Sequence, residues 1–284
     1  MSTTRTIAFF GATGDCAGYC LAACLRNEYT CTALARSPEK LQVSLAAKGI
    51  SPEIQSQFLT ITQGDIRDIE AVRTVLHPTT NSKTKTTTTT QPTTPNQEVV
   101  VDLIISGIGP TAFYLHPNPL APIGIQDSAI CWDASKTILA ALLPNTPNTA
   151  PSHSKPLLIN ISTTGISPPG LPRDIPFLYI PLYRWLLHHP HVDKAGMEKN
   201  LRNLMTDPGV KEEERGIRGF VNVKPTLLTG GEGKGWEKIR AGVETEPAIG
   251  WFVARRDVGE WVFERFVRRE VEEGWVGRGV SLAN

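Results

Sequence analysis

Thr6-Ile7-Ala8-Phe9-Phe10-Gly11-Ala12-Thr13-Gly14-Asp15-Cys16-Ala17-Gly18 is the stretch that decides the fold. An apolar run of strand length stops at a glycine turn, and an alanine- and cysteine-rich helical segment over 16–26 follows at once. Strand, tight turn and helix in that order aim a helix N-terminus at a pyrophosphate. Gly11 makes the turn, Gly14 lets the backbone approach phosphate, and Ala17 at the third glycine position still allows close helix–strand packing. The stretch therefore reads as a dinucleotide site, with Gly11, Thr13, Gly14, Asp15 and Cys16 as its contacts.

The same alternation continues outward. Strands are expected over 29–35, 58–62, 99–105, 156–161 and 218–224, with helices over 38–48, 68–76 and 127–143 between them. The fourth strand is the most apolar, as a central parallel strand buried on both faces should be. Such alternation makes an α/β fold, a doubly wound parallel sheet of Rossmann type. Two stretches interrupt it. Residues 77–97 contain Thr86 to Thr90 unbroken and too little apolar area to offset ordering entropy, so they read as a low-complexity surface insertion. Residues 144–155 are a shorter version.

From residue 164 the alternation loosens into proline-rich loops, an aromatic stretch over 179–185, a helix over 193–205 and the glycine loop over 230–235. That loop lacks a P-loop ending and reads as a flexible lid or turn. The stretch over 255–271 is amphipathic at helical spacing, with Val258, Trp261, Val262, Phe263 and Phe266 on its apolar face. Residues 165–215 and 228–284 are expected to supply a small C-terminal substrate cap.

Lys plus Arg is 29 and Asp plus Glu 28. Near-zero net charge argues against nucleic acid or an anionic membrane as the partner and leaves a small-molecule substrate. No apolar run reaches membrane-spanning length, and Arg5 is followed directly by the first strand, so a cytoplasmic protein without a signal peptide is expected. A homodimer is left open. Five cysteines are an odd number, against a disulfide framework. Cys16, Cys20 and Cys24 share one helix face and read as core packing.

The end of the second strand selects the dinucleotide. An acid there would hold a ribose 2′-hydroxyl; here the sequence is Ala35-Arg36-Ser37-Pro38-Glu39-Lys40. Arg36 can fork onto a 2′-phosphate, Ser37 can cap the next helix while donating to it, and Lys40 adds positive charge. The expected cofactor is NADP(H). An ordinary solvated loop cation is the competing reading of Arg36.

These residues resemble the atypical short-chain dehydrogenase/reductases of the NAD(P)H-binding, NmrA-like type. The resemblance rests on Gly-Ala-Thr-Gly at 11–14, Ala-Arg-Ser-Pro-Glu-Lys-Leu at 35–41 and Gly-Asp-Ile-Arg-Asp at 64–68. It continues in Ile-Ser-Gly-Ile-Gly at 105–109, Ser-Thr-Thr at 162–164 and Lys-Pro-Thr-Leu-Leu-Thr-Gly at 224–230. It implies one NAD(P)-binding domain over 1–284, with Asp65 and Ile66 by the adenine and Ser106 and Gly107 under the ribose and nicotinamide side. The C-terminal half looks most like fungal secondary-metabolism oxidoreductases of the averufin-oxidase-like group.

One departure matters. None of the five tyrosines has lysine four residues later, so the Tyr-x-x-x-Lys proton relay of the superfamily is absent. Ser162, Thr163, Tyr183 and Lys194 are the substitute candidates. If Asp193 caps its helix, Lys194 and Glu198 share a face one turn apart, and a solvated Lys–Glu pair is the competing reading. His188, His189 and His191 invite a metal, but Pro190 is expected to break their register and no acidic or cysteine cluster completes a ligand set. No metal is expected. The reading is an NADP-dependent oxidoreductase acting on a small, aromatic or polyketide-like substrate. Its rivals are an NADP(H)-binding redox sensor without turnover and a non-redox lyase, isomerase or cyclase.

Overall fold

A computed structural model of the chain describes residues 5–78, 100–110, 113–115, 122–143, 155–186 and 188–284. Of the two interrupting stretches, residues 79–97 and 144–154 lie outside the described residues.

The first strand, β1 (Ile7–Phe10), is wholly buried, and α1 (Asp15–Arg26) follows the glycine turn. Next come β2 (Cys31–Ala35), α2 (Pro38–Ala47), α3 (Pro52–Phe58), β3 (Leu59–Gln63), α4 (Ile69–Leu76) and β4 (Leu103–Ser106). The hydroxyls of Ser37 and Ser51 cap α2 and α3, each with proline at the start of the helix, where a missing N–H breaks no bond. The sequence reading missed α3, although Ser51-Pro52-Glu53 repeats the Ser37-Pro38-Glu39 start signal. A short antiparallel pair, β5 (Phe113–Leu115) and β6 (Ile123–Ile125), precedes α5 (Ile130–Leu142).

The second half runs β7 (Leu157–Ile161), α6 (Ile180–Leu186), α7 (His188–Thr206), β8 (Gly219–Pro225), β9 (Leu227–Thr229) and β10 (Arg240–Val243). It ends with β11 (Phe252–Ala254), α8 (Arg255–Val262) and β12 (Arg278–Ala283). The main sheet has the order β10-β12-β8-β7-β4-β1-β2-β3, parallel except for β10 on its edge. Strand order reverses at β1, with β2 on one side and β4 on the other. Phe10 pairs with Ser106 and Ser106 with Asn160, so β1, β4 and β7 all end at one edge. Doubly wound sheets open their ligand crevice there.

Both faces are covered. Cys20, Leu21 and Cys24 of α1 pack with Val258, Trp261 and Phe266 in one core, and Val75, Ile138, Met197 and Leu201 belong to the other. All five cysteines are buried and free. Gly259 of α8 is as close to α1 as backbone allows: a Cβ there would meet the Cys16 carbonyl oxygen at 2.5 Å.

The segment 228–284 divides differently from the cap expected of it. Its strands β10 and β12 extend the main sheet, and α8, continued by a wider turn over Phe263–Val267, lies against α1. The glycine loop over 230–235 is tied down, because the buried Asp257 carboxylate accepts the Lys234 N–H at 2.9 Å and the Gly235 N–H at 3.2 Å. Of the two readings, flexible lid or turn, it is the turn, held by Asp257 at its Lys234–Gly235 end.

Candidate functional site

A cleft of about 760 Å³ opens at the edge where β1, β4 and β7 end. Its first wall is backbone. Gly11 has φ +73°, and a Cβ there would lie 2.8 Å from the Gly107 carbonyl carbon and the Ile108 nitrogen. At Gly107 a Cβ would meet the Ala17 Cβ at 2.6 Å. Turn, loop and helix thus interlock at a distance only glycine permits. Gly14 is the N-cap of α1 and makes no side-chain cap bond, so no side chain covers the N–H groups of the first turn. This cradle fits a pyrophosphate.

Of the expected dinucleotide contacts, Gly11, Thr13, Gly14, Asp15, Cys16, Arg36, Asp65, Ile66 and Gly107 line the cleft together. Three do not. Ser37 accepts the Lys40 N–H at 3.4 Å and donates to Glu39 at 2.9 Å, so its hydroxyl serves the helix start. Lys40 is exposed beyond it, and Ser106 is buried inside β4. Arg36 is exposed and has no hydrogen-bond or ion-pair partner among the described residues. Cys16 is no nucleophile, because burial pushes its thiol up to about 12.

Arg67 braces this end. Its guanidinium forks onto Asp127 at 2.7 and 2.8 Å and reaches Asp133 at 2.9 Å, holding the Asp65–Ile66 loop against the start of α5. The hydrogen bonds from Arg67 hold Asp127 below the usual carboxylate range, and they offset a negative charge that would otherwise face Arg36.

The far end is made by side chains. Ser162, Thr163, Tyr183 and Lys194 all line the cleft, with His191 and Arg255 beside them. Lys194 Nζ donates to the Ile161 carbonyl at 2.7 Å. Tyr183 is buried with its hydroxyl 3.4 Å from Thr164 Oγ1, and desolvation raises its pKa. A proton-donating tyrosine needs the opposite shift.

Three readings of this helix are corrected. Pro190 does not break the register; it lies within α7, which runs from His188 to Thr206. Asp193 does not cap its own helix. It is buried and caps α5 from across the interface, accepting the Cys131 N–H at 2.9 Å and the Trp132 N–H at 3.0 Å. Glu198 is neither solvated nor paired with Lys194. It is 2% exposed, accepts the Ser162 hydroxyl at 2.5 Å and lies 3.6 Å from Lys224 Nζ.

Sequence reasoning weighed His191 only as a metal ligand and gave Lys224 no role in the site. The His191 ring lies 5.3 Å from that of Tyr183, its buried Nε2 has no hydrogen bond among the described residues, and burial lowers its pKa to about 4. Lys224 was read as a strand residue opening the motif at 224–230, yet it is 1% exposed, and its ammonium donates to the Ile166 carbonyl and lies 3.5 Å from Asp174. A lysine inside a strand as apolar as Phe220-Val-Asn-Val-Lys224 was the available signal, since buried lysine demands a partner.

The fold is shared with known structures. A short-chain dehydrogenase/reductase from Veillonella parvula DSM 2008 in complex with NADP superposes with a TM-score of 0.62 at 13% identity, covering 99% of this chain and 95% of that one. An anaerobillin reductase from Escherichia coli O157:H7 has a TM-score of 0.58 at 15% identity, with 98% and 96% covered. No family model matches the sequence. Two curated proteins do, along almost their whole length. Reductase pytE of Aspergillus terreus is 38% identical over 99% of this chain and 98% of its own. Oxidase pynE of Aspergillus niger is 39% identical over 98% of each. With 38% and 39% identity over nearly the whole chain, the protein belongs to the fungal oxidoreductase family of pytE and pynE, built on the short-chain dehydrogenase/reductase fold.

Proposed function

We propose that the chain is an NADP-dependent oxidoreductase that moves hydride between the dinucleotide and a small aromatic or polyketide-type metabolite. The observation that carries this reading is the single cleft. It joins the glycine cradle and the exposed Arg36 at one end to Ser162, Thr163, Tyr183 and Lys194 at the other. Gly11, Gly14 and the first turn of α1 would hold the pyrophosphate, and Arg36 the 2′-phosphate, with Asp65 and Ile66 at the adenine. Once bound, NADPH supplies hydride; the chain's own part is to orient the substrate and manage the proton.

Aromatic surface beside the far end supports an aromatic substrate. The rings of Tyr179 and Tyr183 stack at 5.7 Å, and Tyr179 meets Trp251 edge-on at 4.8 Å. Trp251 and Phe252 are about half exposed, leaving apolar area for a flat ligand. Lys194 would orient the ribose or stabilise an oxyanion. Lys194→Ala is expected to cut turnover by about 10²-fold while leaving the melting temperature near wild type, measured with NADPH and a panel of quinones, enones and ketones. Full activity in that variant returns Lys194 to a helix cation bound to a carbonyl.

A sensor without turnover is the second reading, favoured by the raised rather than lowered pKa of Tyr183. Wild-type protein that binds NADPH and never oxidises it with any substrate in the panel selects the sensor.

A further inference from the structure

Behind Ser162 lies an ion cluster that neither the cofactor nor the fold requires. Glu198 of α7, Lys224 of β8 and Asp174 of the loop after β7 are 2%, 1% and 5% exposed. Arg202, one turn along α7, reaches Glu198 at 3.8 Å and pairs with Glu244 after β10. Three carboxyl groups thus share two cations. A buried carboxylate without its own cation is strongly disfavoured, so such a cluster gains by holding one proton.

We propose that Glu198 is the proton reservoir of the site, exchanging a proton with the cleft through the Ser162 hydroxyl. This rests on the reductase reading above. Its geometry is the 2.5 Å contact from Ser162 Oγ to Glu198 Oε1, with Ser162 itself lining the cleft. Asp174 is less suited to the role. Its Oδ1 is already engaged by the Gly165 N–H at 2.8 Å and the Ser167 hydroxyl at 3.3 Å. Glu198 faces Ser162, Lys224 and Arg202, with Glu244 behind Arg202 and Asp174 behind Lys224. Burial raises its pKa, and the Lys224 charge opposes that rise.

The proton step balances as follows. As hydride reaches a carbonyl carbon, the C=O π pair moves to oxygen, and that oxygen takes the Ser162 hydroxyl proton. Ser162 Oγ takes the proton of the Glu198 carboxyl, leaving a carboxylate beside Lys224. Solvent then restores the Glu198 proton from the side of Arg202, whose side chain is 26% exposed and reaches Glu198 at 3.8 Å. In the oxidation direction each transfer reverses. Ser162 touches substrate; Glu198 is a positioning residue that acts through it, and the pair takes over the work of the missing Tyr-x-x-x-Lys.

Glu198→Gln keeps the hydrogen-bond acceptor and removes the titration; Ser162→Ala breaks the link and keeps Glu198. Two readouts are needed. In cofactor-free protein, the infrared carboxyl band of Glu198 is expected to titrate above the ordinary carboxylate range and to vanish in Glu198→Gln. With NADPH and an accepted substrate, wild-type kcat is expected to fall as pH rises through that midpoint. Both variants are expected to lose about 10²-fold in kcat and the pH limb, with NADPH affinity unchanged. Glu198→Gln or Ser162→Ala that keeps the wild-type limb overturns the relay and leaves the reductase reading standing. A Glu198 band that titrates in the ordinary range overturns it without any turnover assay. Wild-type protein that reduces nothing overturns the reductase reading and the relay with it.

Discussion

At one end of the cleft the wall is backbone, made where Gly11, Gly14 and Gly107 interlock with Ala17. At the other it is side chains from β7, α7 and β8, held by hydrogen bonds and ion pairs between residues up to 62 positions apart. The difference teaches where specificity can change. A backbone cradle recognises what every dinucleotide shares, while a packed charge cluster answers to each substitution around it.

The largest effect should come from Lys224→Met. Removing the ammonium leaves Glu198 and Asp174 buried without it, a change that costs about 3–5 kcal/mol when one partner of a buried pair is deleted. Glu198, whose pKa burial raises, can take a proton, so the loss is expected to shrink as pH falls below neutral. Chemical denaturation of the variant at several pH values measures this. A loss below 1 kcal/mol at neutral pH would mean the cluster is solvated and the contrast between the two ends is false.

The pH response of His191 comes next. Its folded pKa of about 4 lies below the usual 6.5, so the unfolded chain binds the proton first. Stability it contributes is complete above pH 6.5 and is lost as pH falls toward 4, on the order of 3 kcal/mol at the limit. Glu198, whose pKa is raised, runs the other way, losing its contribution as pH rises. The readout is therefore the difference in melting temperature between wild type and His191→Phe across that window, which should narrow on acidification.

Arg36→Ala tests the backbone end. It should weaken NADPH by about 1.5–3 kcal/mol, the range for hydrogen bonds to charged groups, and leave NADH nearly unchanged. Equal weakening of both would make Arg36 a general surface cation. Smallest of all should be deletion of residues 79–96 with a short Gly-Ser bridge. Their threonine, proline and polar composition carries no apolar face, so melting temperature and NADPH affinity should stay put. A fall of several degrees would show that the stretch packs against the body.

Much of the first half was legible from local pattern. Strand, glycine turn and helix are signals spanning a dozen residues, and β1 to β4 with α1, α2 and α4 fall within a few residues of their expected places. The second half was legible only in part. The strand at 218–224 and the amphipathic stretch from 255 were found, whereas β10 and β12 were assigned to a cap because strands this short carry a weak pattern.

The chain's own sequence determined the Rossmann-type order, the glycine turn and the arginine after β2, because each depends on neighbours in the chain. Only the tertiary structure decided what α7 does. By spacing alone, Asp193 read as a cap of its own helix, Lys194 as a catalytic candidate or half of a solvated pair with Glu198, and Pro190 as a break. Packed between α5 and β8, the same residues cap a different helix, bind a strand carbonyl and hold a buried lysine. A carboxylate's role is set by which charges and N–H groups surround it once water is excluded, and those arrive from distant strands.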